Sequence, residues 1–110
     1  MANAIEQIQA AISGNKVLIF MKGNRSFPMC GFSAATVQIF EEMGVPFETV
    51  DVLLDEEVRQ AIKTYSNWPT IPQVYVDGKF VGGCDIIREL YESGELQELI
   101  ESVLAENARQ

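Results

Sequence analysis

Apolar residues recur along the chain at changing spacings, and the changes divide it into alternating elements. Ile5, Ile8 and Ile12 fall at the spacing of one helical face and Ser13-Gly14-Asn15 interrupts them, which predicts a helix over residues 2–13. Lys16–Lys22 encloses the unbroken run Val17-Leu18-Ile19-Phe20-Met21 and reads as a buried strand. From Gly31, the residues Phe32, Ala35, Val37, Ile39, Phe40 and Met43 predict a second helix, ended by Gly44. Phe47–Val52 alternates as a strand. Asp55 can cap a third helix bearing Val58, Ile62 and Tyr65, and Ser66-Asn67-Trp68-Pro69 closes it.

Gln73–Val76 and Lys79–Val81 flank Asp77-Gly78, a pair tolerant of positive φ, which predicts a hairpin with a two-residue turn. Asp85 can cap a helix through Tyr91, and Gly94 separates it from a last helix carrying Leu96, Leu99, Ile100, Val103 and Leu104. The order is αβαβαββαα. A strand-helix-strand unit favours a parallel pair with a right-handed crossover, and the hairpin adds antiparallel strands. The expected class is α/β, with a mixed four-stranded sheet flanked by helices in a thioredoxin-like arrangement.

At 110 residues the chain has the size of one domain, expected to span 1–110. Its net charge of −8 opposes attraction to DNA, RNA or anionic lipid, so no nucleic acid and no membrane partner is expected. The five-residue apolar run falls far short of the roughly 20 residues that span a bilayer. Residues 1–15 lack a basic segment followed by an apolar stretch, so a cytoplasmic location is expected. Two cysteines are too few for a disulfide framework, and the lack of any histidine removes most zinc sites and His-based triads. Any chemistry must run on thiols, carboxylates or amines.

Cys30-Gly31-Phe32-Ser33 follows a strand and opens a helix, where free backbone N–H groups and the helix dipole stabilise an anion. Cys30 is therefore placed to be a thiolate, and Lys22 at the end of the preceding strand can lower its pKa further. A buried structural cysteine beside a surface lysine is the plainer alternative; the position between strand end and helix start favours the thiolate. Ser33 stands where a C-x-x-C motif has its second sulfur, so no disulfide can form there. Cys30 must pair with a small thiol, another chain, a metal, or Cys84.

Thr70-Ile71-Pro72 precedes a strand, and a proline at that place is compatible with a cis bond and a free backbone edge for an extended peptide. It can equally be a turn residue, and Trp68 and Pro69 read as packing residues. Gly82-Gly83-Cys84-Asp85 offers N–H groups at a strand-to-helix turn, with Asp85 a helix cap or an acceptor for a ligand ammonium group.

Taken together, Lys22-Gly23, Pro28, Cys30-Gly31-Phe32-Ser33, Trp68-Pro69-Thr70-Ile71-Pro72 and Gly82-Gly83-Cys84-Asp85 resemble the CGFS-type monothiol glutaredoxins over nearly the whole chain. The resemblance implies a thioredoxin fold, a cis Pro72, glutathione binding and a [2Fe-2S] cluster held between two subunits. It places glutathione contacts at Lys22, Arg59, Thr70, Ile71, Cys84 and Asp85, with Cys30 as iron ligand and redox-active thiol. Lys22 and Arg59 would meet the glycine carboxylate, the Ile71 backbone the cysteinyl part, and the Cys84 N–H with Asp85 the γ-glutamyl end. Arg59 otherwise reads as an exposed residue of the third helix. Met29 stands where the family more often has a polar residue, and Arg25 adds a loop cation.

Ligand counting agrees with a shared cluster. A [2Fe-2S] centre usually takes four thiolates, which two copies of Cys30 and two glutathiones supply. The expected function is a glutathione-dependent carrier or assembly factor for iron–sulfur clusters, active in iron homeostasis and homodimeric when loaded. Apo iron–sulfur acceptor proteins would receive the cluster. Two rivals stand beside it: a glutathione-dependent thiol–disulfide oxidoreductase that deglutathionylates proteins, and a regulatory module docking a BolA-like partner.

Overall fold

A computed structural model of the chain describes residues 3–108. Five α-helices and four strands alternate in the predicted order, as α1 (Ala4–Gly14), β1 (Val17–Met21), α2 (Gly31–Met43), β2 (Glu48–Asp51), α3 (Glu56–Ser66), β3 (Gln73–Val76), β4 (Lys79–Gly82), α4 (Cys84–Ser93) and α5 (Glu95–Ala108). The predicted start of the first helix at Ala2 lies outside the described residues. Within them, Asn3 caps α1 by accepting the Glu6 N–H at 2.9 Å.

The sheet order is β2-β1-β3-β4. β1 runs parallel to β2, with Ile19 opposite Thr49, and antiparallel to β3, with Ile19 opposite Val74. All five β1 residues are buried because helices cover both faces. Val17, Ile19 and Met21 point to one side, where Val37, Phe40, Ile87, Leu96 and Ile100 of α2, α4 and α5 meet them. Leu18 and Phe20 point to the other, against Ile8 and Ile12 of α1 and Val58 and Ile62 of α3. The mixed sheet with helices on both sides is the expected thioredoxin-like fold.

Several local expectations shift. Ile5 is 38% exposed; the buried stripe of α1 runs through Ile8 and Ile12 with Ala4 and Ala11 at its margin. The predicted strand at Phe47–Val52 narrows to Glu48–Asp51, because the Asp51 carboxylate accepts the Leu53 N–H at 2.9 Å and winds Val52–Leu54 into a 3₁₀ turn. In α2 the buried residues are Ser33, Thr36, Val37, Ile39 and Phe40, and Phe32 points outward. Burying those two hydroxyls is tolerated because each is bonded: Ser33 accepts the Lys22 N–H, and Thr36 donates to the Phe32 carbonyl at 2.9 Å.

Asp85 does not cap α4. The cap is Gly83, two residues earlier, which makes no side-chain capping bond, and the helix begins at Cys84; Asp85 sits in the first turn, 3.8 Å from Arg88. Other signals act as predicted. Asp55 accepts the Glu57 N–H at 3.0 Å, and Asp77 and Gly78 take φ of 51° and 81° in the hairpin turn.

Candidate functional site

The C-terminal end of β1, the N-terminus of α2 and the segment entering β3 converge at one end of the sheet. Between them lies a groove of about 720 Å³ whose lining includes Lys22, Cys30, Thr70, Ile71, Cys84 and Asp85. Five of the six predicted ligand contacts, and Cys30 itself, are thus brought together. Arg59 is not among the lining residues. It lies on α3 with its guanidinium 3.6 Å from Glu56, and its buried Nε has no hydrogen-bond partner. Lys63, one turn later on the same face of α3, lines the groove in its place. Sequence reasoning passed over Lys63, although its i+4 spacing from Arg59 and its position in the last helical turn before Trp68 were both visible.

The loop between β1 and α2 is folded tightly enough to fix where Cys30 sits. Met29 donates to the Lys22 carbonyl at 2.9 Å, and Gly23 bridges to Pro28. Gly23 itself has φ 87°, and a side chain there would collide with the Phe27 carbonyl oxygen and the Met29 nitrogen. Its N–H donates to the Asp51 carboxylate at 3.0 Å, tying the loop to the end of β2. Arg25 faces away from the groove: it pairs with Glu41 at 2.7 Å, donates to the Phe47 carbonyl at 3.0 Å and lies 3.8 Å from the centre of the Phe47 ring. The extra loop cation is a staple.

Cys30 is the N-cap of α2, in extended backbone, with partial exposure. Its thiol pKa is lowered chiefly by the Ser33 backbone N–H; burial opposes this, and the Phe32 N–H, the Lys22 charge and the Ser33 hydroxyl add to the lowering. The plainer alternative of an inert buried thiol fails for Cys30 on both exposure and environment. It describes Cys84 better, which is buried and accepts a long contact from Arg88 at 3.6 Å. Around Cys30 stand three outward apolar side chains, Phe27, Met29 and Phe32, exposed by 75%, 68% and 63%.

The opposite wall is built from Trp68–Pro72, where the Ile71–Pro72 bond is cis. Trp68 lines the groove as well as packing against Phe80 with ring centres 5.6 Å apart, so packing alone does not describe it. Gly83 approaches closely: a side chain there would come within 3.2 Å of the Pro72 carbonyl and 3.4 Å of the Trp68 indole nitrogen. The arrangement can hold an extended, anionic thiol ligand with its sulfur at Cys30. Among the described residues no helix is long and apolar enough to cross a membrane.

Known proteins carry the same pattern. The glutaredoxin family model matches residues 17–81. An uncharacterized monothiol glutaredoxin of Synechocystis sp. is 61% identical over 90% of this chain and 92% of its own. A chloroplastic monothiol glutaredoxin of Arabidopsis thaliana is 50% identical over 90% of this chain and 57% of its own. The solution structure of reduced poplar apo GrxS14 superposes with a TM-score of 0.80 at 49% identity, covering 90% of this chain and 91% of that one. With Cys30 the only sulfur of Cys30-Gly31-Phe32-Ser33, this chain belongs to the glutaredoxin family as a monothiol member.

Proposed function

We propose that this chain, acting as a single domain, binds glutathione in the Cys30 groove and carries a [2Fe-2S] cluster between two copies for delivery to apo acceptor proteins. The observation that carries the reading is a lone activated thiol at the mouth of a groove lined by two lysines, the Thr70–Pro72 backbone and a helix N-terminus. The lysines suit the glycine carboxylate of glutathione, and the N-terminus of α4 suits the γ-glutamyl carboxylate. Asp85 in its first turn suits the γ-glutamyl ammonium group.

Cys30 fits an iron–sulfur ligand in donor chemistry, since a thiolate is the ligand and its lowered pKa favours that form. The apolar ring of Phe27, Met29 and Phe32 supports a second copy facing Cys30, burying these side chains and screening the cluster. Two Cys30 and two glutathiones then complete four thiolates. Half of the ligands would be diffusible, which suits transfer to acceptors in iron homeostasis.

The lowered Cys30 pKa favours a second reading, as a glutathione-dependent oxidoreductase. The Cys30 thiolate attacks the glutathionyl sulfur of a mixed disulfide; that S–S bond breaks, the released protein thiolate takes a proton, and Cys30 holds the glutathione. A second glutathione thiolate attacks this sulfur, restoring Cys30 and releasing glutathione disulfide. The apolar ring also supports docking of a BolA-like partner in a regulatory role. The cytoplasm remains the proposed location. Anaerobic reconstitution with and without glutathione, read by absorbance and native mass, tests the leading reading: a dimer with one cluster and two glutathiones is expected. Turnover in a glutathione-coupled assay without any cluster would replace it with the oxidoreductase.

A further inference from the structure

Gln73 is one of three polar residues fully buried among the described residues, and the only one outside α2. It is the first residue of β3, and its side chain lies under the groove's wall. The amide Nε2 donates to the Trp68 carbonyl at 3.1 Å and to the Thr70 carbonyl at 3.3 Å, while Oε1 accepts from the Tyr75 hydroxyl at 3.3 Å. Burial pushes the Tyr75 pKa up to about 12, so its proton stays in place as the donor in this network.

Both residues whose carbonyls the amide holds line the groove. Thr70 lines it directly, and the Trp68 ring lies beneath the close approach of Gly83, the residue before Cys84. A segment containing two prolines, Pro69 and Pro72, lacks two backbone N–H donors and cannot hold itself by a regular ladder. The Gln73 amide supplies the missing connection. Replacing it by an apolar side chain of similar length would leave two buried carbonyls and one phenol without this partner.

We infer that Gln73 is a positioning residue for the groove, its amide holding the Trp68 and Thr70 carbonyls and thereby both the Thr70–Ile71 wall and the turn at Gly83–Cys84. The inference rests on the proposed glutathione site for its binding consequence, and on the hydrogen-bond network alone for its structural one. Gln73 touches no ligand; it acts through the backbone it holds.

The test compares Gln73→Met and Gln73→Asn with Ile100→Val, a core change in α5 remote from this network. Three quantities are read: glutathione affinity by calorimetry, emission of Trp68, the sole tryptophan, and amide hydrogen exchange over residues 68–71. Gln73→Met is expected to weaken glutathione about tenfold, the scale of one lost buried hydrogen bond, with altered emission and faster exchange. Ile100→Val should change none of these. Wild-type emission and exchange in Gln73→Met, or the same changes in Ile100→Val, would overturn the inference. If Gln73→Met does not fold, Gln73→Asn, whose shorter amide cannot span to both carbonyls, decides: faster exchange over 68–71 supports the inference and unchanged exchange overturns it. A wild-type chain without glutathione affinity would remove the proposed function, yet emission and exchange would still decide the role of Gln73.

Discussion

The Ser33 hydroxyl accepts a hydrogen bond from the Lys22 backbone N–H at 3.1 Å, joining the first turn of α2 to the end of β1 directly beside Cys30. A serine in place of the second cysteine of a C-x-x-C motif is therefore more than a missing thiol. It closes the strand-to-helix junction, is fully buried in doing so, and lends its own N–H and hydroxyl to the Cys30 sulfur.

That arrangement predicts the pH dependence of alkylation. A thiol whose folded pKa is lowered becomes nucleophilic earlier as pH rises, and its stabilising contribution, present above the unfolded pKa, is lost as pH falls through the folded value. The midpoint for iodoacetamide reaction at Cys30 should lie below the usual thiol value of about 8.5. Lys22→Ala should raise it more than Ser33→Ala, because the Ser33 backbone N–H, the largest cause, survives a side-chain truncation. A midpoint at or above the usual value would contradict the assigned environment.

Much of this fold was legible because the signals were local and repeated. The unbroken run Val17–Met21 marked a strand covered on both faces, and Asp77-Gly78 marked the turn between β3 and β4; both acted as their chemistry requires. The failures came where a polar side chain finds a backbone partner. Ser33 and Thr36 face inward because they find partners, a fact polarity alone conceals, while Phe32 faces outward at the site rim. Lys63, legible by its spacing from Arg59, is set apart from it by lining the groove.

Glutathione affinity should therefore separate the cations of α3. Lys63→Ala is expected to cost about three- to tenfold, on the scale of a charge-assisted contact, and Lys22→Ala a similar amount. Arg59→Ala should cost less, since its guanidinium faces Glu56 and it stands outside the lining. Calorimetry on the three variants checks the order. A larger loss from Arg59→Ala than from Lys63→Ala would return the carboxylate to Arg59.

Arg25 offers a stability test away from the groove. Its pairing with Glu41 is half exposed and so weak, but the stacking on Phe47 and the bond to the Phe47 carbonyl add to it. Arg25→Ala should lower stability by about 1 kcal/mol in urea titration. Arg25→Lys should recover little, because an ammonium cannot bridge carboxylate, carbonyl and ring face together. Full recovery in Arg25→Lys would show that charge alone matters there.

Cys84 decides how many thiolates the chain itself contributes. Two copies of a chain supplying both Cys30 and Cys84 would complete four thiolates with no glutathione. Cys84, however, is buried at the first position of α4, and its neighbour Gly83 packs so near Pro72 and Trp68 that a side chain there would come within 3.2 Å of the Pro72 carbonyl. That location suits use of the Cys84 backbone N–H at a helix N-terminus, with the sulfur turned to Arg88. Cys84→Ser is accordingly expected to retain [2Fe-2S] assembly and its requirement for glutathione, whereas Cys30→Ser should abolish assembly, a hydroxyl being a poor ligand for the cluster. Anaerobic reconstitution of both variants, followed by absorbance and native mass, reads the difference. Loss of the cluster in Cys84→Ser, or full assembly of the wild type in glutathione-free buffer, would make Cys84 the second protein ligand and overturn the count of two glutathiones per dimer.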